Sequence, residues 1–276
     1  MKRFSLAVAL LLGLGPSVAS AQSAQSAADI VDRMLDAFEA NTASVENYSV
    51  VQEVMGFESE LYFEKEMEDG RPVFHLVSSS TGGFAADLDD DLGYSDIYAA
   101  GPELAEHARY GGLESIEGRE AHVLVIDDLA ALDLTSTATP EDTEFHPRNG
   151  RIYVDADLWV PRRMEFAGDL DTGDGLVEVT SVIEMEDYRD DAGILLPYRT
   201  VVRMDGLAAA LDPEMRAELE ELQRQLEELP EEQRAMVEEM FAGRMDQMEA
   251  LLGGEDGGMT VEMLVLDVRV NEGPPH

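Results

Sequence analysis

Between residues 152 and 204 apolar and polar side chains alternate, and a period of two is what a half-buried β-strand imposes. Residues 152–154 read as one strand and residues 159–166 as the next, with Met164 and Phe166 on one face and Arg163 and Glu165 on the other. Val177, Val179, Ile183 and Met185 then point one way, while Glu178, Thr180 and Glu184 point the other. Residues 194–204 return as a further strand, with Pro197 near its start, where a missing N–H is tolerated. Asp155 to Asp157, Gly168 to Gly175 and Asp190 to Gly193 separate these runs as turns or loops. Strict alternation gives a sheet with one wet face and one buried face, joined by hairpins.

The same period starts at Tyr48, continues through Val50, Gln52 and Val54, and recurs around Leu61, Phe63 and residues 73–77. It resumes at residues 121–126 and again at 261–270. Two segments break it. Residues 28–40 predict a helix capped by Asp29, with Ile30, Met34, Leu35 and Phe38 on one face, stopped by Asn41-Thr42. Residues 102–110 predict a short helix, and residues 127–149 a long polar loop.

The larger break is at residues 212–252. Asp212-Pro213 is a helix start, and Met215, Leu219, Leu222, Leu226 and Leu229 follow at spacings of three and four. Pro230 starts a second helix lined by Met236, Val237, Met240, Phe241, Met245, Met248 and Leu251. This predicts an amphipathic αα-hairpin inserted between two strands. Its methionines suit a surface that accommodates varied apolar shapes; ordinary core packing and a short coiled-coil arm are the other uses of such a stripe.

At the other end, Met1-Lys2-Arg3, an apolar run from Leu6 to Leu14 and Ala19-Ser20-Ala21 form the three parts of a secretory signal, with cleavage expected after Ala21. The run is too short to span a bilayer. Residues 22–276 are then one domain, expected in the periplasm. The chain holds no cysteine, so it has neither disulfides, thiol chemistry nor a lipoprotein anchor.

Acids outnumber bases 59 to 19, and the formal charge of −40 becomes −42 when Lys2 and Arg3 leave with the signal. Such a chain repels nucleic acid and anionic lipid surfaces. Lys65 is the one lysine left, a composition that fits a salt-rich habitat or an Arg-favouring genome. His75, His107, His122, His146 and His276 are scattered, so no metal site is expected. The Asp169 to Gly175 run resembles the start of a calcium loop but lacks its later ligands, and a hairpin turn is the better reading. No G-x-S-x-G elbow, Walker loop or dinucleotide fingerprint is present, and neither an enzyme nor a bound cofactor is expected.

Arg151-Ile-Tyr-Val-Asp155, Trp159-Val-Pro161-Arg162-Arg163-Met164, Glu186-Asp187-Tyr188-Arg189, Gly193-Ile-Leu-Leu-Pro197 and the ending Val270-Asn271-Glu272-Gly273-Pro274 together resemble the outer-membrane lipoprotein-sorting protein family, a LolA/LolB-like superfamily. The resemblance implies an α+β fold: a strongly curved antiparallel sheet, an incomplete β-barrel, with a helical lid. It also implies a carrier of acyl chains across the periplasm. The chain departs from the family in its long hairpin and its charge. Three readings remain. The first is a periplasmic carrier for lipid or acylated ligands, whose cavity is lined by Trp159, Met164 and Phe166 from the sheet and Leu222, Leu226, Met236 and Met240 from the hairpin. The second is an envelope interaction or sensor module whose hairpin docks on a partner protein. The third is a hydrolase with a dispersed site.

Overall fold

The computed structural model describes residues 25–54, 56–68, 70–80, 96–132, 144–172, 175–210, 221, 224 and 258–274. The signal peptide expected at 1–21 lies outside the described residues, as does the hairpin expected at 212–252 apart from 221 and 224, with Leu222, Leu226, Met236 and Met240.

Helix α1 (Ala27–Asn41) forms because its sequence supplies both a start and a stripe. Ser26, rather than the expected Asp29, is the N-cap. Its hydroxyl accepts the Asp29 N–H, and the Asp29 carboxylate accepts the Ser26 N–H, a reciprocal capping box. Ile30, Val31, Met34, Leu35 and Phe38 are buried along one side. Thr42 ends the helix, donating from both its N–H and its hydroxyl to the Phe38 carbonyl.

Ten strands follow: β1 (Asn47–Val54), β2 (Phe57–Glu68), β3 (Arg71–Ser79), β4 (Ala108–Ile116), β5 (Arg119–Ile126), β6 (Glu144–Asp155), β7 (Pro161–Asp171), β8 (Leu176–Asp191), β9 (Ile194–Asp205) and β10 (Met259–Val270). They form one antiparallel sheet in the order β3-β2-β1-β10-β9-β8-β7-β6-β5-β4. The topology is a meander except at β1, which pairs with β10 and so joins the two ends of the chain. Asn271 fixes that junction: its side-chain oxygen accepts from the Glu46 and Asn47 N–H groups, and its amide donates to the Ser44 carbonyl. The family-like ending is therefore a clasp.

Short helices α2 (Asp96–Ala99) and α3 (Gly101–His107) complete a layer with α1, and α4 (Leu207–Ala210) follows β9. Gly101 lets α3 approach α1, because a Cβ there would stand 2.7 Å from Leu35 Cδ1. The main core gathers Met34, Leu35 and Phe38 of α1, Leu104 of α3, Tyr48 and Phe63 of β1 and β2, and Leu124, Ile152 and Leu196 of β5, β6 and β9. Each such side chain contributes about 1.5–3 kcal/mol when fully buried.

Several expectations are corrected. The architecture is mostly β, and the sheet is open, neither closed nor strongly curled: β3 and β4 end it and do not pair with each other. The short helix stops at His107, and Ala108–Ile116 is a strand passing straight through Gly111-Gly112. Those glycines form a bulge, with Gly112 at φ +111°. The turn comes at Glu117-Gly118, both at positive φ, as a two-residue hairpin requires. The polar loop is shorter than expected, because β6 begins at Glu144 and accommodates Pro147 at a register shift. The loop expected at 168–175 shrinks to a tight connection, since β7 and β8 pair as far as Asp171 and Leu176. Trp159 precedes β7 instead of lying in it.

Candidate functional site

The register lines up side chains across seven strands. Val261 faces Val202, Val202 faces Ile183, Ile183 faces Met164, Met164 faces Ile152, Ile152 faces Leu124, and Leu124 faces Tyr110. The parallel row two residues along reads Met259, Met204, Ser181, Phe166, Gly150, Ile126 and Ala108. Alternation puts both rows on one face of the sheet.

That face has two halves. Over β5 and β6 its side chains belong to the main core beneath the helices. Over β7 to β10 they form a second cluster of Ile183, Met185, Val202 and Val261, flanked by half-buried Met164, Phe166, Met204, Met259 and Met263. Among the described residues every member of this second cluster lies on a strand. Five methionines therefore share one patch of sheet. Met164 and Phe166 touch both clusters and mark the boundary.

The opposite face is ionic. Arg199 bridges Glu186 and Glu262 at 2.6 Å each. Arg163 pairs with Glu165 at 2.8 Å, Arg203 with Glu184, and Arg269 with Glu60. Arg148 reaches Asp169 at 3.4 Å and Glu178 at 3.1 Å.

The family-like residues build the β6–β7 turn. Asp155 is buried, and its Oδ1 accepts the N–H groups of Asp157 and Leu158 at 2.9 and 2.8 Å. Its other oxygen accepts from Arg162, with Arg119 at 3.6 Å. Arg162 lies over the Tyr188 ring, and Tyr188 donates its hydroxyl proton to the Pro161 carbonyl. Burial alone would raise the Asp155 pKa, but the hydrogen bonds from Leu158, Arg162 and Asp157 outweigh it and hold the carboxyl below its ordinary value.

This turn places Trp159 in the left-handed region at φ +57°, its N–H donating to the Asp155 carbonyl at 3.0 Å. Its indole stacks on His122 of β5, centroids 5.1 Å apart and planes 16° off parallel. His122 shares a 3.2 Å hydrogen bond with Tyr110 of β4, and burial, then repulsion from Arg33, pushes its pKa down. Arg33 of α1 covers the indole, its Cζ 5.1 Å from the ring centroid.

Of the site residues expected from sequence, Trp159, Met164 and Phe166 each pack, half-buried, against the main core, and Met164 and Phe166 also against the second cluster. Met185, Met204, Met259 and Met263 share the second cluster with Met164 and Phe166, and the phase of these methionines with Ile183 and Val202 is the sequence signal for them. A shallow cleft beside Ile116, Arg162 and Met185 is open to solvent and far too small to enclose a ligand. Glu66, Glu68 and His75 converge on the β2–β3 hairpin, where a 3.0 Å His75–Glu68 pair accounts for their approach. Among the described residues no helix is long and apolar enough to cross a membrane.

No family model matches the chain, and no curated protein does. Among solved structures it is similar to a DUF1329 family protein from Desulfovibrio piger, at 13% identity over 90% of this chain and 93% of that one, with a TM-score of 0.42. It is also similar to an outer membrane lipoprotein-sorting protein domain from Vibrio parahaemolyticus, at 10% identity over 89% and 95% of the two chains, with a TM-score of 0.37. A LolA superfamily protein from Nitrosomonas europaea is similar at 12% identity over 91% and 96%, with a TM-score of 0.32.

Proposed function

We propose that this protein is an exported, non-enzymatic carrier for a lipid or acylated ligand, held on the apolar face of β7 to β10. The observation that carries the reading is the second cluster. A sheet face rich in methionine and branched aliphatics needs a second layer. The described helices supply one over β5 and β6, and among the described residues none joins the cluster over β7 to β10. Methionine side chains adapt to flexible chains at little strain cost, which suits a surface whose occupant exchanges.

The hairpin at 212–252 is the proposed second wall. It is inserted between β9 and β10, whose adjoining ends carry Met204 and Met259 on the apolar face. Trp159, Met164 and Phe166 would line the cavity from the sheet, and Leu222, Leu226, Met236 and Met240 from the hairpin.

Native mass spectrometry of the protein recovered from its own cell envelope tests this, followed by solvent extraction of whatever is bound. A stoichiometric acyl-chain ligand is the expected result. A clean apo mass, with no uptake of added fatty acid or lipopeptide, would overturn the carrier reading in favour of an envelope module that binds a protein through its helices.

A further inference from the structure

Resting on the carrier reading, we infer that Arg33 and Trp159 form a headgroup subsite, and that the ligand is an anionic amphiphile carrying a carboxylate or phosphate.

The argument starts with where the positive charge is. The arginines of the ionic sheet face are held by carboxylates of neighbouring strands. Arg33 is different. It is exposed on α1, it packs on an aromatic face, and among the described residues no acceptor or carboxylate meets its N–H groups at bonding distance. A ring beneath a guanidinium satisfies the cation but leaves the in-plane N–H fork open, and that fork matches a carboxylate or phosphate.

The position relative to the apolar face is the second element. His122 faces Val154, and one register step along, Leu124 faces Ile152, which faces Met164. His122 lies two residues, roughly 7 Å, along the strand from the Met164 row, with Trp159 stacked on it and Arg33 over the indole. A headgroup on Arg33 lets a tail cross Met164 and Phe166 toward Ile183 and Met204. The turn built by Asp155 holds the indole in place, so the subsite is preformed.

The protein's own charge opposes an anion. Asp29 lies one turn before Arg33, Glu120 flanks His122, and the net charge is −40. Distant charges are screened beyond the Debye length, about 8 Å in physiological salt, and Asp29, which lies within it, has its Oδ2 engaged by the Ser26 N–H and hydroxyl, whereas a direct guanidinium contact is unscreened. The local contact therefore sets the preference.

Trp159 is the one tryptophan of the chain, which makes its emission a reporter of this subsite. The delipidated protein is titrated with dodecanoate, dodecyl phosphate and dodecan-1-ol. Tighter binding of one or both anions than of the alcohol, on the order of tenfold, is expected, and their relative affinities separate a carboxylate from a phosphate preference. Arg33→Gln should abolish the preference while keeping the alcohol affinity, and Arg33→Lys should restore part of it. Circular dichroism confirms that the variants fold. Equal affinity for all three probes in the unaltered protein, or a preference that survives Arg33→Gln, would overturn the subsite and leave the carrier reading standing. If no probe binds, both fall.

Discussion

Phe166 lies directly across from Gly150 in the β6–β7 pair, and a Cβ on that glycine would stand 2.8 Å from the Phe166 ring and 2.9 Å from the Glu165 carbonyl oxygen. The missing side chain at 150 is what lets the ring lie over the sheet, joining the two apolar clusters. Gly150→Ala is expected to destabilise the protein by about 1–3 kcal/mol through overpacking. Urea unfolding measures the cost. Adding Phe166→Leu should recover part of it, because the two positions share one space. Additive losses would show that the contact is not the cause.

Asp155 is the hub of the β6–β7 turn, and its partner Arg162 is itself largely buried. Asp155→Asn leaves that guanidinium without a counter-charge in the interior. A loss of about 3–5 kcal/mol is the expected scale for breaking a buried pair by removing one member. The Trp159 emission should also shift to the red in the folded variant as the indole leaves His122. An unchanged spectrum would separate the turn from the stack.

His122 gives the protein a sensitivity to mild acid. Its folded-state pKa is depressed, by burial first and Arg33 second, whereas an unfolded imidazole titrates near 6.5. Above that value both states are neutral and the contribution is intact. As the pH falls from about 6.5 through the depressed folded value, the unfolded chain takes up the proton first, and stability is lost. Asp155, also depressed, adds a second loss only below about pH 4. Melting temperatures of the protein and of His122→Gln, compared between pH 7.5 and 5, should converge as the pH drops. Parallel curves would show that His122 does not titrate in this window.

Much of this was legible beforehand because it is local. Residues 152–204 alternate strictly, and the strands came out nearly where the period put them; α1 came out likewise from its stripe. The helix expected over 102–110 runs too far because the residues from Ala108 on are drawn into a strand by their partner across the sheet, which the local sequence does not show. The loop expected over 127–149 is too long for the same reason, since Pro147 sits in β6 where a register shift excuses its missing N–H. In the site, Met164 and Phe166 followed from their phase. Arg33 had no local signal: its contact with Trp159 joins the first helix to a turn in the middle of the chain, and depends on the Asp155 hydrogen bonds that hold the indole at positive φ.

The charge makes a final prediction about salt. With 59 acids against 19 bases, most carboxylates have no cation to pair with, and their mutual repulsion opposes the compact state. The ion pairs of the outer sheet face pull the other way, but exposed pairs contribute about 0–1 kcal/mol each and involve few of the acids. Raising the salt from 0.01 M to 1 M shortens the Debye length from about 30 Å to about 3 Å, which removes the many long-range repulsions more completely than the few close attractions. The melting temperature should therefore rise steadily with sodium chloride. A gain of even 1 kcal/mol would appear as about 2–4 °C in a chain of this length. A melting temperature that falls with salt would mean that the arginine–carboxylate lattice, rather than the excess charge, governs stability.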